Sequence, residues 1–252
     1  MKLTKAQSKA HQQALDLVHS DRPLTLDERQ FILDNYAEAQ GQLNTLAGAF
    51  FTPTGLARDL SIEVGADDRG IVDLCAGIGA LAFKCHRDVP ITCVEACEAY
   101  VTVGRRVMPD AQWIHADVFK AELGRYSFAI SNPPFGAIPA PTFTGRYTGG
   151  QFEYKLIELA SRIADYGAFI LPQTSAPFRY SGQPCFQQDE NEKARKFREQ
   201  TGIVMEPSCG IDTSIYRGDW RGVSPICEVV VCEFAQPTAA ANEVQLSLLE
   251  AA

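Results

Sequence analysis

"IVDLCAGIGALA", residues 71–82, decides the architecture. Residues 71–75 form a short apolar run broken only by Asp73, and the small residues behind it lead into a helical pattern. A buried strand, a tight turn and a helix in that order open a βαβ unit. Ala76, Gly77 and Gly79 let the backbone turn sharply and approach a ligand, and the N-terminus of the next helix favours an anionic group such as a carboxylate. The third glycine of the dinucleotide fingerprint is absent, so a pyrophosphate is the poorer fit.

Similar apolar runs recur outward from this point: ITCVE (91–95), QWIHA (112–116), SFAIS (127–131), GAFIL (167–171), GIVME (202–206) and ICEVVVCEF (226–234). Helical segments separate most of them, which predicts an α/β, Rossmann-like, doubly wound and mostly parallel seven-stranded sheet covered on both faces. The last, valine-rich strand reads as an antiparallel edge. Residues 1–45 read as an N-terminal helical extension of two polar helices, the second opened by Thr25 and Glu28 at capping-box spacing. The expected organisation is that extension, a main domain over 46–235, and a flexible tail of small and polar residues over 236–252.

Composition narrows the class. With 252 residues, 46% apolar and 21% charged, the chain is an ordinary globular one and neither disordered nor collagen-like. No apolar stretch is long enough to span a bilayer and the first twenty residues lack a signal peptide's apolar core, so no membrane association and a cytoplasmic location are expected. The eight cysteines include no C-x-x-C pair and mostly sit in apolar runs, which predicts reduced core thiols and no metal. A net charge of -8 argues against coating nucleic acid through bulk charge, though local patches remain. The densest, Lys193 to Arg198, reads equally as a solvated helix with i,i+4 charge pairs or as a phosphate-binding face.

In a doubly wound sheet, ligands bind outside the carboxyl ends of the strands. Glu95 ends the second strand, at the distance past the glycine turn where an acid accepts hydrogen bonds from ribose hydroxyls. Asp117 follows the third, placed to accept from an adenine amine while Val118 packs on the ring. One acidic strand end is ordinarily a capping or solvated group; three in succession, Asp73, Glu95 and Asp117, point to a ligand.

After the fourth strand comes "NPPF", residues 132–135. Proline fixes its own φ and restricts the residue before it, so an amide and an aromatic ring are held in fixed relation. The turn resembles the (Asn/Asp/Ser)-Pro-Pro-(Tyr/Phe) motif of the amino-group methyltransferases, and the resemblance implies the chemistry that follows: the amine of adenine is a poor nucleophile because its lone pair is delocalised into the ring. Asn132 Oδ1 and the Pro133 carbonyl could each accept one amine hydrogen and turn the lone pair toward a sulfonium methyl, with Pro134 stiffening the turn. Phe135 offers a face for an extruded base. The long segment 136–154 reads as a lid, with Arg146 on a phosphate and Tyr147 or Phe152 against the base; a mobile surface loop with no substrate role is the alternative.

In this order and spacing the motifs resemble the class I S-adenosylmethionine-dependent methyltransferases, specifically the amino-group branch with an (Asn/Asp/Ser)-Pro-Pro-(Tyr/Phe) motif after the fourth strand. The match covers roughly residues 48–235, and "GAFFTPTGLARDL" (48–60) resembles the segment ahead of the glycine loop in N6-adenine DNA methyltransferases of the gamma arrangement. The resemblance implies S-adenosyl-L-methionine held by Phe51, Thr52, Pro53, Asp73, Ala76, Gly77, Gly79, Glu95, Ala96, Asp117, Val118 and Asn132. It implies catalysis by Asn132, Pro133, Pro134 and Phe135, and methylation of a flipped DNA adenine at N6, as in restriction-modification. The alternatives are an amine of ribosomal or transfer RNA, a protein glutamine (where such enzymes carry Tyr at the position of Phe135) and a non-catalytic subunit. Gamma enzymes usually carry a large recognition region after the catalytic domain, whereas only residues 235–252 follow the last strand here. Recognition is therefore expected from the helical extension, the 136–152 loop, a 176–200 insertion, a homodimer mate or a separate subunit. In the tail, "QLSLL" (Gln245 to Leu249) resembles the pentapeptide by which bacterial replication and repair proteins dock into the sliding clamp, with Leu249 in place of the usual Phe. A leucine-containing end packed on the domain is the other reading.

Overall fold

The computed structural model describes residues 3–37, 50–85, 88–221 and 223–234. The clamp-like Gln245–Leu249 stretch and the Gly48 and Ala49 of the "GAFFTP" segment lie outside the described residues.

Nine strands and seven helices are described. The strands are β1 (Ile71–Leu74), β2 (Ile91–Glu95), β3 (Gln112–His115), β4 (Tyr126–Ser131), β5 (Ala164–Pro172), β6 (Phe178–Arg179), β7 (Gln187–Gln188), β8 (Glu206–Pro207) and β9 (Cys227–Glu233). The helices are α1 (Lys5–Val18), α2 (Leu26–Asn35), α3 (Thr54–Leu60), α4 (Ala80–Cys85), α5 (Glu98–Val107), α6 (Phe152–Ile163) and α7 (Glu192–Thr201). Seven strands form one sheet in the order β3-β2-β1-β4-β5-β9-β8, and β6 and β7 form a separate hairpin. β1 to β5 run parallel, so the order reverses between β1 and β4, where a doubly wound sheet opens a crevice for ligands.

The period of two that defines a strand splits its side chains between two cores. Ile71, Phe128, Ile130, Ala168 and Ile170 pack against α1 to α5, while Val72, Leu74, Ala129, Phe169 and Leu171 pack against α6 and α7.

Two strand expectations need correction. β9 is antiparallel to β5, as its sequence suggested, but it is interior and not an edge, because β8 pairs along its other side. The 202–206 run contributes only Glu206 to a strand. Gly202, at φ 76, caps α7 in the left-handed conformation, and only Glu206 and Pro207 pair with β9. A proline without an N–H suits this outermost position.

The capping box of α2 forms as its spacing requires. Glu28 N–H donates to Thr25 Oγ1 at 3.2 Å and Thr25 N–H to Glu28 Oε2 at 2.9 Å. A second box, Thr4 with Gln7, opens α1. These helices are sewn to the sheet domain: Ile32 and Leu33 share a core with Leu56 and Ile71. Arg106 donates to the carbonyls of Ser20 at 2.8 Å and Arg22 at 2.7 Å, and Thr54 Oγ1 donates to Asp34 at 2.8 Å. Arg221 donates to the carbonyls of Leu33, at 2.7 Å, and Tyr36. No described helix is long and apolar enough to cross a membrane. None of the eight cysteines, all among the described residues, forms a disulfide.

Candidate active site

The turn after β1 has Cys75 at φ 64, Gly77 at φ 58 and Gly79 at φ 91, three left-handed residues within five. Glycine takes this conformation freely, whereas Cys75 is strained there and is held by its surroundings. A Cβ on Gly77 would also come within 3.3 Å of the Phe51 ring. The strand ends stand in the spatial order β3, β2, β1, β4, so Asp117, Glu95, Gly77 and Asn132 follow one another along one crevice. They line a single cavity of about 410 Å³, together with Phe50, Phe51, Cys75, Ala96, Tyr100, Val118, Phe119, Pro134, Pro139, Ala140 and Phe152. That volume suits a small molecule with a few fixed polar groups.

Glu95 bridges two turns. Its Oε2 accepts from Gly77 N–H and its Oε1 from Cys97 N–H, each at 2.8 Å. Burial raises its pKa, and these backbone bonds oppose the shift. Each oxygen keeps a lone pair for a hydroxyl. Asp117 is exposed and accepts from Phe119 N–H at 3.0 Å and Thr142 Oγ1 at 3.2 Å. The latter bond draws the loop after β4 over this end of the cavity, where Phe152 meets Phe119 edge to face at 5.2 Å.

Asp73 lies beneath the turn in a smaller recess shared with Thr52, Ala76, Gly77 and Asn132. Its Oδ2 accepts from Ala82 N–H at 3.2 Å, while Oδ1 is buried with no hydrogen-bond partner. Burial, with a smaller contribution from Glu95, pushes its pKa up to about 8. Cys75 is also pushed well above the usual thiol range by burial and by the surrounding acids, which disfavours a thiolate nucleophile here.

Asn132 closes the other end. Its Nδ2 donates to the Phe50 carbonyl at 2.9 Å and to Thr52 Oγ1 at 3.0 Å. A carbonyl can only accept, so this pair fixes which way the amide faces. Its Oδ1 is left buried without a donor. The Ser131 hydroxyl bonds the Leu74 carbonyl, tying the last residue of β4 to the end of β1.

Of the residues singled out in the sequence, Phe51, Gly77, Glu95, Ala96, Asp117, Val118, Asn132, Pro134 and Phe152 converge on the main cavity, with Thr52, Asp73 and Ala76 below it. Thr52 sits where it orients Asn132. Pro53 is the N-cap of α3. Gly79 lies close against the Trp113 ring, Pro133 is buried, and Phe135 is half-buried against the α1 to α5 core.

Neither Arg146 nor Tyr147 lines the cavity: Arg146 is exposed outside it, and Tyr147, expected against the base, is buried away from it. Tyr147 is buried between Tyr154 and Phe197, with ring centroids at 5.4 and 5.6 Å. Arg146 donates from Nη1 to the Thr201 carbonyl at 3.2 Å, and the Arg146 and Tyr147 amides donate to Glu158 at 2.7 and 2.9 Å. The helices behind the site draw this half of the loop away. Phe119, Pro139 and Ala140 were not singled out in the sequence; Phe119 directly follows Val118 and carried a local signal, whereas Pro139 and Ala140 reach the cavity only through the path of the loop.

No protein-family model and no curated sequence matches the chain. Solved structures do. A class I S-adenosylmethionine-dependent methyltransferase, so described provisionally, from Listeria monocytogenes superposes with TM-score 0.56 at 13% identity, over 86% of this chain and 70% of that one. The methyltransferase subunit of a type I restriction-modification system from Streptococcus thermophilus gives 0.55 at 17%, over 84% of this chain and 49% of that one. A protein from Pyrococcus horikoshii provisionally described as an RNA methyltransferase gives 0.51 at 15%, over 89% and 98%. Identities this low speak to architecture, and together with the strand order and the position of the cavity they establish that the chain has the fold of the class I S-adenosylmethionine-dependent methyltransferases.

Proposed function

We propose that this protein transfers a methyl group from S-adenosyl-L-methionine to an exocyclic amine, and that the acceptor is a flipped adenine in DNA. The observation that carries the reading is Asn132 Oδ1, a buried acceptor that lacks a donor while its own Nδ2 is pinned by Phe50 and Thr52. An acceptor left unsatisfied in a closed site is costly, and a substrate N–H removes the cost. An amine whose hydrogen is drawn toward Asn132 has its lone pair turned out of conjugation, which is the activation that amine methylation needs.

The residues fit the cofactor. Asp73 Oδ1 is the second unpartnered buried acceptor, suited to an ammonium; Glu95 suits ribose hydroxyls; Asp117, Val118 and Phe119 suit an adenine edge and face. The cofactor supplies an electrophilic methyl group. The protein's part is to hold the amine at Asn132 Oδ1, to keep the turn rigid through Pro133 and Pro134, and to exclude water with Phe50, Phe51 and Phe152.

The choice of DNA adenine rests on the "FFTP" segment, whose Phe51 walls the cavity and whose Thr52 orients Asn132. The purified protein with methyl-labelled cofactor should label duplex DNA, and digestion to nucleosides should place the label in N6-methyladenine. Label confined to folded RNA or to ribosomal protein in parallel reactions overturns the DNA assignment. No label in any acceptor, with tight cofactor binding, overturns catalysis.

A further inference from the structure

Glu153, in the first turn of α6, is fully buried and faces two loops that both leave the carboxyl ends of the sheet. Its Oε2 accepts from Gly136 N–H at 2.9 Å and its Oε1 from the Ser175 hydroxyl at 2.7 Å. Gly136 directly follows the Asn132-Pro-Pro-Phe135 turn. Pro133 and Pro134 have no N–H to anchor that turn, which makes the Gly136 peptide a critical fixing point downstream of Asn132. α6 holds this peptide from both sides, because Phe152 N–H donates to the Gly136 carbonyl at 2.9 Å. Gly136 stands at φ 94 with open space where a Cβ would sit, so its backbone conformation, and not crowding, calls for glycine. Ser175 ends the short 3-10 helix after β5, and its carbonyl accepts from Tyr154 OH at 2.7 Å. Residues 153 and 154 therefore grip the β5 exit while Glu153 also holds the catalytic turn.

We propose that Glu153 is a positioning residue for the reaction: its carboxylate fixes the Asn132–Gly136 turn against the loop after β5, and its loss lowers turnover without loosening the cofactor. This rests on the methyl-transfer reading given above. The selectivity follows from placement, since Glu153 bonds to the loops after β4 and β5 while the ribose and adenine ends of the cavity are built on β2 and β3. A burial cost for an acid at this site is tolerated because both oxygens are hydrogen-bonded.

The test uses the full chain with Glu153→Ala, Glu153→Gln and Ser175→Ala, read by hydrogen exchange, cofactor calorimetry and transfer kinetics. In Glu153→Ala, exchange across 136–138 should quicken at least about tenfold and kcat should fall about 10- to 100-fold, the scale of a misplaced reacting group. Its cofactor Kd should stay within about twofold. Glu153→Gln keeps an acceptor for Gly136 and should recover most of kcat, and Ser175→Ala should show a smaller loss. Wild-type exchange and turnover in Glu153→Ala overturn the proposal, as does an equal loss in Glu153→Gln, or a cofactor Kd that weakens in step with kcat. If Glu153→Ala does not fold, Ser175→Ala decides: wild-type 136–138 exchange and turnover in it overturn the proposal. If the wild type methylates nothing, the amine-transfer reading fails on its own, and unchanged 136–138 exchange in Glu153→Ala, or in Ser175→Ala where the former does not fold, still separately refutes the tether.

Discussion

At the β1 to β3 end of the cavity, the acidic groups lie within two residues of a strand's carboxyl end, and neighbouring turns hold them: Glu95 is fixed by the amides of Gly77 and Cys97. At the β4 end, Asn132 takes its orientation from Phe50 and Thr52, which precede it by 82 and 80 residues. The turn behind it takes its position from α6. The first half of the site is thus built into the winding of the sheet, and the second is assembled by long-range contacts onto a chain that the sheet merely delivers. Under the proposed function the cofactor takes the first half and the acceptor amine the second, so cofactor binding should tolerate variation in distant loops while turnover should be sensitive to it.

Substitutions can break that division. Asn132→Ala should cost the most, about 10³-fold in kcat or roughly 4 kcal/mol, with cofactor affinity changed only a few-fold. Transfer assays and calorimetry on the same preparation decide it; near wild-type turnover removes the proposed role, and a cofactor Kd that collapses with kcat shows that the two halves are not separate. Tyr147→Ala should come next and should act elsewhere. It deletes a buried ring packed on Tyr154 and Phe197, so it should destabilise folding by about 3 kcal/mol while kcat per folded molecule is unchanged. A lower kcat at full stability would put Tyr147 back at the substrate, as its sequence position first suggested.

Smaller effects are expected at the strand ends. Glu95→Ala should weaken the cofactor by about 1–3 kcal/mol, the range for hydrogen bonds to a charged acceptor. Asp117→Ala should fall at the low end of that range, because Asp117 is exposed. Unchanged affinity in both variants would mean that the ribose and adenine ends are misassigned.

The same division explains what the sequence disclosed. Glu95 and Asp117 were readable because each ends or directly follows a short apolar run, and Asp73 because it breaks one near its end; a parallel sheet brings such ends together whatever the loops do. The capping box at Thr25 and Glu28 was readable because both partners lie within one turn. Asn132 stood out in the sequence by its place between a strand and two prolines, but its partners did not, since nothing local links Phe50 to residue 132. Tyr147 misled for a related reason: an aromatic in a long loop looks available until buried Tyr154 and Phe197 claim it. The 202–206 run failed as a strand because Gly202 is spent on capping α7, and a cap and the start of a strand look alike when the residue is glycine.

Asp73 offers the finest test, because it lies on the cofactor side of the division and close to Asn132 on the other. Its pKa in the folded protein, about 8 against an ordinary 3.8, means that the folded state without cofactor binds more protons than the unfolded state between those values. Its stabilising contribution is complete below the lower value and is lost as pH rises through the upper one, with a slope of at most about 1.4 kcal/mol per pH unit. Burial shifts Glu95 and Glu153 in the same direction, whereas His11, lowered by burial and by Arg221, adds an opposite slope below its ordinary 6.5. Between pH 7 and 8, therefore, the melting temperature of the ligand-free protein should fall as pH rises. Asp73→Asn keeps an acceptor for Ala82 N–H but removes the titration, so it should flatten the curve. A cationic amine seated against Asp73 favours its charged form, so stabilisation by S-adenosyl-L-methionine should grow over the same interval in the wild type and not in the variant. Parallel melting curves for the two proteins across that interval would show that Asp73 is already ionised without the cofactor, and that the floor of the cavity is wetter and less selective for an ammonium than its unpartnered oxygen implies.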